Sequence, residues 1–246
     1  MPDFSSLFEL ETLTIHLKNT MKLSLLAAIA SSLGLASAAV QGFDISNWQS
    51  SVDFAGAYAA GARFVIIKAS EGTTYKDPSF SKHYIGATNA GFIRGGYHFA
   101  LPDRSSAAAQ AEHFLASGGG WSKDGITLPG MLDIEANPYG AQCYGKSTSA
   151  MVAWIKEFVD TYHSKTGRYP MIYTSPSWWQ TCTGNSNAFS QTCPLVLARW
   201  ASSPGTPPGG WPFHTIWQYS DSYEFGGDGD LFNGDMAGLK RLALGD

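Results

Sequence analysis

The sequence predicts an α/β fold, a parallel (β/α) barrel whose last third has lost its helices. Short apolar runs alternate with helical patterns over the first two thirds of the chain, and only strands separated by loops follow. A chain of 246 residues with 44% hydrophobic and 15% charged residues can bury one large core. Because it shows no fixed repeat and no linker, we expect a single domain over residues 41–246.

The first forty residues are expected to lie outside that domain. Met21 and Lys22 are followed by the apolar run LSLLAAIASSLGLA and then by Ala36-Ser37-Ala38, which is the pattern of a secretory signal peptide over residues 21–38. Residues 1–20 precede this start methionine and are interpreted as an upstream extension that the mature protein lacks. The apolar run is short for a transmembrane helix, so we expect a secreted, extracellular protein with no membrane segment in its mature form.

Three predicted strand-helix pairs open the domain. Each strand is a short apolar run, the first interrupted by Asp44 and the second rich in β-branched residues. Each helix is followed by a glycine, namely Gly61, Gly91 and Gly118, as helices commonly are. The predicted pairs are 42–46 with 52–60, 64–69 with 78–90, and 95–101 with 107–117.

The stretch 127–139, which reads TLPGMLDIEANPY, is predicted to contain the fourth strand. A long helix running to about residue 165 follows, because apolar residues recur on one of its sides and Ser147 or Thr148 can cap its start. The fifth strand is 169–174. The remaining elements are strands at 195–200, 215–219 and 230–233, with loops of Gly, Pro and Ser but no full helix between them, and a closing helix at 235–244.

The three cysteines of the predicted mature chain, Cys143, Cys182 and Cys193, imply one disulfide and one free thiol in a secreted protein. Three pairings are possible. We favour Cys143 with Cys182, because both lie in polar stretches rich in Gly, Ser and Thr. Cys182 with Cys193 is the short-loop alternative.

Charge and motifs exclude several classes of function. A formal net charge of −4 gives no broad basic surface, which argues against a nucleic-acid partner. The cysteines lack CxxC spacing, and HExxH, GxxxxGK[ST] and Gly-x-Ser-x-Gly are absent, which removes the usual zinc, nucleotide and serine-hydrolase sites. We expect a monomer without metal or cofactor.

Polar residues collect at the predicted C-terminal ends of the strands, where barrel enzymes hold their active sites. Asp133 and Glu135 are two residues apart on one strand, so both face one side with Cα atoms roughly 6.5 Å apart. Two carboxylates held so close together have different pKa values, so one is ionised while the other keeps its proton. A pair of acids that cleaves a glycosidic bond works in this state. The full set is Asp44, Lys68 with Glu71, His98, Asp133 with Glu135, Tyr173, Arg199 with Trp200, Gln218 and Asp230.

Each of these residues also has a purely structural interpretation. The carboxylate pair could be tied to a lysine or arginine, and Asp44 could cap a turn. His98 could be a core histidine with satisfied ring nitrogens. Asp230 lies in the loop-like run GGDGDLFNGD, where solvated acids are common, and its neighbour Asp228 is expected to face solvent.

Six tryptophans lie near predicted strand ends or in the loops that follow them. Sugar rings can stack on indole faces at such positions. Tryptophan is also buried on average, and a barrel needs bulky packing. We expect two or three of the six to be sugar platforms. They are Trp48, Trp178, Trp179, Trp200, Trp211 and Trp217.

Seven motifs occur along residues 41–246: GFDIS followed by Trp48, VIIKASEGTTYKDP, GGYHFA, the DIE triplet, YPMIYTS, WQYSD and DLFNG. In this order and spacing they resemble the Chalaropsis-type lysozymes, glycoside hydrolase family 25, and the stretch after Gly130 resembles the fungal branch. The resemblance implies a modified TIM-type barrel, (β/α)5(β)3. It also implies cleavage of the β-1,4 bond between N-acetylmuramic acid and N-acetylglucosamine in the glycan strands of bacterial peptidoglycan.

Position by position, the resemblance assigns roles to the acids. Glu135 matches the general acid/base and Asp133 its partner, while Asp44 matches the acid of the first strand and Asp230 the acid before the final FNG. We also expect aromatic and polar side chains to contact the sugar. These substrate-binding residues are Tyr97, His98, Tyr173, Trp217, Gln218, Trp48 and Trp200.

Two retaining mechanisms are compatible with these residues. Asp133 could orient the substrate's own 2-acetamido group as internal nucleophile, or Asp133 or Asp44 could attack directly. Acids at i and i+2 of one strand lie on one side of the scissile bond more naturally than astride it, which favours the first.

Two other functions stay open at this stage. One is a chitinase, although the longer DxxDxDxE signature of that class is absent before Asp133. The other is a non-catalytic wall-binding barrel, against which the presence of both DxE carboxylates argues.

Overall fold

The computed structural model describes residues 39–246, so the predicted extension 1–20 and signal peptide 21–38 lie outside the described residues. Eight strands close into a barrel, because β1 pairs with β2 as well as with β9. The short β3 adds a hairpin to β2. The strands are β1 Val40–Ile45, β2 Phe64–Glu71, β3 Tyr75–Lys76, β4 Ile93–Phe99, β5 Met131–Asp133, β6 Met171–Thr174, β7 Leu195–Ala198, β8 Ile216–Ser220 and β9 Asp228–Phe232.

Five helices follow the first five barrel strands, and a sixth ends the chain. They are α1 Phe54–Ala59, α2 Phe80–Asn89, α3 Ala107–Ala116, α4 Thr148–Thr166, α5 Pro176–Thr183 and α6 Met236–Leu244. Side chains such as Ser106, Ser147 and Asp235 accept backbone N–H groups at the helix starts. The predicted (β/α)5(β)3 barrel is confirmed. None of the helices in residues 39–246 is long and apolar enough to cross a membrane.

The last strand departs from the predicted parallel arrangement, because β9 runs antiparallel to both β1 and β8. A parallel connection needs a dozen or more residues, and only residues 221–227 join β8 to β9. Gly227 shapes this turn: its φ is +76°, and a Cβ there would collide with the carbonyl oxygen of Asp44. The hairpin consequently pairs Asp228 with Asp44 across the closing seam of the barrel.

Alternate residues of each strand supply two separate cores. On β2, Phe64 and Ile66 point into the barrel, whereas Val65 and Ile67 pack against the helices. Leu239 of α6 joins the interior cluster. Apolar side chains therefore fill the barrel, and polar residues are left for its open end.

The favoured disulfide is confirmed, since Cys143 and Cys182 are bonded with their Cα atoms 5.3 Å apart. It ties the loop after β5 to the last turn of α5. Cys193 is the buried free thiol of the described chain, where burial raises its pKa to about 12. A thiol of this kind is unreactive.

Candidate active site

A cleft of about 190 Å³ opens at the C-terminal ends of the parallel strands. Four carboxylates share this small volume, together with one lysine and several aromatic rings. The lining residues are Asp44, Ser46, Trp48, Lys68, Tyr97, Phe99, Met131, Asp133, Glu135, Tyr173, Gln218 and Asp228.

The DIE triplet places two of the four acids. Asp133 is the last residue of β5, and the backbone N–H of Ile134 donates to the carbonyl of Tyr173 at 3.1 Å, which continues the extended chain. Ile134 is buried in the outer core, so Asp133 and Glu135 on either side of it face the cleft. Within residues 39–246 no donor forms a hydrogen bond with either carboxylate, so both are available to a substrate.

Burial and repulsion shift these two acids in the same direction. Burial raises the pKa of Asp133 well above its ordinary value, and the charge of Glu135 raises it further. Burial also raises the pKa of Glu135, with Asp228 adding to the shift and Lys68 opposing it. The pair therefore resists carrying two negative charges and retains a proton under conditions where exposed carboxylates have none.

Gln218 organises the opposite wall of the cleft. Its Nε2 donates to Oδ2 of Asp44 at 2.8 Å and to Oδ2 of Asp228 at 3.2 Å. Its Oε1 accepts from the Tyr173 hydroxyl at 2.9 Å and from the Trp200 indole at 3.0 Å. Both donors and both acceptor positions of the amide are in use, which fixes its orientation.

Asp44 is nearly as enclosed as Asp133. Burial raises the pKa of Asp44 to about 8, with the charge of Asp228 adding to the shift and the Gln218 hydrogen bond opposing it. Asp44 is therefore mostly protonated at neutral pH. A protonated carboxyl can donate a hydrogen bond to a sugar, but it is a poor nucleophile.

The structure corrects the expectations for Asp228 and Asp230. Asp228 lines the cleft instead of facing solvent, whereas Asp230 is 1% exposed and does not line the cleft. The reason is the direction of β9: its N-terminal end is at the mouth, so two residues later the chain is one layer deeper in the barrel. Burial and the charges of Asp44 and Asp228 raise the pKa of Asp230 well above its ordinary value.

The structure also corrects the expectation that His98 contacts substrate. His98 is completely buried, with Nδ1 2.9 Å from Ser70 Oγ and Nε2 3.0 Å from Gln110 Oε1. Its ring stacks on Phe158 at a centroid distance of 5.4 Å. Burial lowers its pKa to about 3, so it is a neutral core histidine. Its neighbours on β4, Tyr97 and Phe99, face the other side and line the cleft.

Two of the six tryptophans are exposed: Trp48 lines the cleft, and Trp200 contacts Gln218, which lines it. Trp48 is 87% exposed in the loop after β1, and this loop is held by the Asn47 N–H donating to buried Asp77. Trp200 is 59% exposed with its indole N–H fixed on Gln218. The other tryptophans near strand ends, Trp178, Trp179 and Trp211, are buried.

Trp217 was expected to contact the sugar, but it does not line the cleft. It precedes Gln218 on β8, so its side chain faces away from the barrel interior. Its indole N–H donates to the carbonyl of Arg199 at 2.8 Å, and its ring lies edge-on to Tyr219.

Lys68 is the cation of the cleft. Its Nζ lies 2.6 Å from Oε2 of Glu71, which anchors it beside the DIE acids. Its charge lowers the pKa of both Asp133 and Glu135, in opposition to burial. No three His, Cys, Asp or Glu side chains of the described chain are grouped as metal ligands.

A barrel with partly protonated, substrate-accessible carboxylates and exposed indoles at its mouth defines a glycoside hydrolase. Residues 43–228 match the model of glycosyl hydrolases family 25, and the chain belongs to this family. The assignment made from the seven sequence motifs is thereby confirmed.

Two relatives and one solved structure match over their whole length. The chain is 62% identical to an N,O-diacetylmuramidase of Arthroderma benhamiae, over 92% of this chain and 100% of the relative. It is 65% identical to an N,O-diacetylmuramidase of Chalaropsis sp, over 84% and 100%. The solved structure of a muramidase from Trichobolus zukalii is similar with a TM-score of 0.83 and 63% identity, over 85% of this chain and 100% of that one.

Proposed function

We propose that this chain is a secreted lysozyme, an N-acetylmuramidase that hydrolyses the β-1,4 bond between N-acetylmuramic acid and N-acetylglucosamine in peptidoglycan. The observation that carries the proposal is the cleft: Asp133 and Glu135 face it without protein donors, while Gln218 holds the other two acids. Relatives named muramidases at 62% and 65% identity support this choice of sugar. The disulfide and the signal-peptide pattern support secretion, and we propose a monomer.

In the proposed first step, Glu135 donates its proton to the glycosidic oxygen while the bond from that oxygen to the anomeric carbon breaks. The carbonyl oxygen of the 2-acetamido group attacks the anomeric carbon and forms a cyclic oxazolinium ion. Its N–H carries positive charge, and the Asp133 carboxylate stabilises it. Water then attacks the anomeric carbon while the bond from that carbon to the acetamide oxygen breaks and restores the acetamide. Glu135 takes up the proton of the water, and the configuration is retained.

The acetamide route is favoured over direct attack by a carboxylate. Asp44 is held on the opposite wall of the cleft by its hydrogen bond from Gln218, so its carboxylate is not free to approach the anomeric carbon. Asp133 lies on the same strand end as Glu135, which places the two acids on one side of the bond. A substrate with a trifluoroacetamido group separates the routes, because fluorine weakens the attacking oxygen. We expect a slower first step, and an unchanged rate would favour a carboxylate nucleophile.

The role of Glu135 is tested with Glu135→Gln. The amide cannot donate the proton, so kcat for clearing bacterial cell walls should fall at least about 100-fold. Glu157→Gln, which changes an exposed glutamate on α4, is the matched control and should keep full activity. Near-normal turnover by Glu135→Gln, with an unchanged melting temperature, would remove this residue from the mechanism.

The substrate class is tested by comparing two polymers. The unmodified enzyme should reduce the turbidity of bacterial cell walls and release little from chitin. Preferential release from chitin would identify a chitinase, and binding without release from either polymer would identify a non-catalytic barrel. Proton NMR of the first product should show the β anomer, and the α anomer would exclude both retaining routes.

A further inference from the structure

A second groove, of about 380 Å³, lies beside the cleft. We call it the side groove. It is lined by Gly72, Thr73, Thr74, Leu101, Arg104 and Tyr139. These residues come from the loops after β2, β4 and β5. The same three strands carry Lys68, Tyr97 and Asp133 in the cleft, so the side groove is on the Asp133 side of the catalytic pair.

A single carboxylate, that of Glu71, links a residue of the cleft to a residue of the side groove. Glu71 accepts from Lys68 through Oε2 at 2.6 Å and from the Tyr139 hydroxyl through Oε1 at 2.7 Å. Lys68 lines the cleft and Tyr139 lines the side groove. A flexible group can therefore leave the sugar in the cleft and enter the groove after only a few bonds. Both carboxylate oxygens of Glu71 are engaged, and the Lys68 ammonium balances its negative charge on the cleft side.

Arg104 gives the side groove a cation with free donors. Its side chain is 58% exposed, and only its Nε approaches an acid, at 3.7 Å from Oδ2 of Asp103. That distance is too long for a hydrogen bond. Within residues 39–246 no acceptor is hydrogen-bonded to either terminal nitrogen of Arg104, and the planar fork of these nitrogens matches a carboxylate.

The chemistry of muramic acid selects an occupant for the side groove. Its lactyl ether is on C3, next to the C2 carbon that carries the acetamide. A sugar that presents its acetamide to Asp133 therefore starts its lactyl group on the same side of the cleft. In the cell wall this group continues into a peptide that carries free carboxylates. The cleft is already crowded with acids, whereas the cation Arg104 in the side groove attracts the carboxylates of such a peptide.

On the basis of the muramidase function proposed above, we propose that the side groove binds the acidic peptide attached to muramic acid, with Arg104 paired to one of its carboxylates. The rigid Tyr139 ring and the Leu101 side chain supply apolar contact for the peptide backbone. The enzyme thus recognises a peptide-substituted glycan strand, and not its sugar backbone alone.

The test uses the full-length mature enzyme, the variant Arg104→Gln, and two soluble substrates. One is uncross-linked glycan strands that carry peptides, and the other is the same strands after enzymatic removal of the peptides. Arg104→Gln should lower kcat/KM on the peptide-bearing strands about fivefold, the size expected for one partly exposed ion pair, through KM with kcat unchanged. On the peptide-free strands it should match the unmodified enzyme. Arg104→Lys should recover part of the loss.

Two controls make the result specific. Lys240→Gln makes the same charge change at an exposed position on α6 and should leave both substrates unaffected. Converting the peptide carboxylates to amides should cost the unmodified enzyme the same fivefold, with no further loss in Arg104→Gln.

Three outcomes would overturn the proposal: equal losses on both strands, no loss on the peptide-bearing strands, or an equal loss in Lys240→Gln. If the unmodified enzyme cleaved neither substrate, the muramidase function itself would be refuted instead.

Discussion

Replacing Asp230 by Asn should stabilise the protein, and the gain should grow with pH. The Asp230 side chain is 1% exposed, neither of its oxygens has a hydrogen-bond partner in the described chain, and Asp44 and Asp228 are its charged neighbours. The folded protein therefore holds this proton far above the pH at which an exposed aspartate releases it. Asn preserves the shape of the side chain and has no proton to lose.

The size of the effect follows from the linkage between protonation and folding. With its folded-state pKa raised, Asp230 contributes stability that is complete below the ordinary aspartate pKa and is lost as pH rises toward the raised one. Each pH unit in that window costs the unmodified protein about 1.4 kcal/mol. While the folded protein keeps this proton, the free energy of unfolding of Asp230→Asn should gain up to roughly 3 kcal/mol relative to the unmodified protein between pH 4.5 and 6.5.

Urea unfolding followed by tryptophan fluorescence at pH 4.5, 5.5 and 6.5 measures this difference. Asp160→Asn, which alters an exposed carboxylate on α4, serves as control and should show no comparable trend. A difference between Asp230→Asn and the unmodified protein that stayed constant, or shrank with pH, would refute the buried, protonated state. Because Asp230 does not line the cleft, kcat should change by less than about tenfold.

Three further predictions concern the site and its support. Asp133→Asn should lower kcat at least about 100-fold without lowering the melting temperature, because an amide cannot stabilise the positive intermediate; turnover within tenfold would contradict this. Asp228→Asn removes a charge that raises the pKa of Glu135, so the alkaline limb of the kcat/KM profile should move to lower pH; an unmoved limb would exclude that coupling. Replacing Cys143 and Cys182 by Ser opens a link across 39 residues and should cost about 3–4 kcal/mol in urea unfolding, whereas a loss below about 1 kcal/mol would mean that the bond is not a main support.

Most of the fold could be predicted because its signals are local. Apolar runs and helix caps mark the first four β/α units, and each of the five predicted helices has a counterpart among α1 to α4 and α6. The short α5 had no counterpart among the predicted helices. Strand direction is not encoded in an apolar run. The direction of β9 is set by the seven-residue connection and by barrel closure, so the sequence pattern alone could not reveal it.

The antiparallel direction of β9 explains why Asp228 lines the cleft, where Asp230 was predicted to lie. In a parallel strand the later acid would be nearer the mouth, and in antiparallel β9 it is the earlier one. His98 was misplaced for a related reason. Adjacent strand residues face opposite sides, and the pattern GGYHFA does not say whether Tyr97 or His98 faces the barrel interior. Neither uncertainty affects Asp133 and Glu135, because residues two apart on a strand face the same side whichever way the strand runs.

The four acids of the cleft form two pairs: one pair accepts hydrogen bonds from Gln218, and the other accepts none from the described chain. Gln218 offers two N–H donors and uses them on Asp44 and Asp228, while Tyr173 and Trp200 occupy its carbonyl oxygen and prevent the amide from turning over. These four hydrogen bonds keep that wall in a fixed arrangement.

Asp133 and Glu135 have no such donors, so the substrate must supply their partners. Two groups of the sugar fit these acids. The acetamide N–H needs an acceptor, which Asp133 provides, and the glycosidic oxygen needs a proton, which Glu135 provides. A nucleophile is missing from this set of protein groups, which is why the carbonyl oxygen of the acetamide is the one that attacks in the mechanism proposed here.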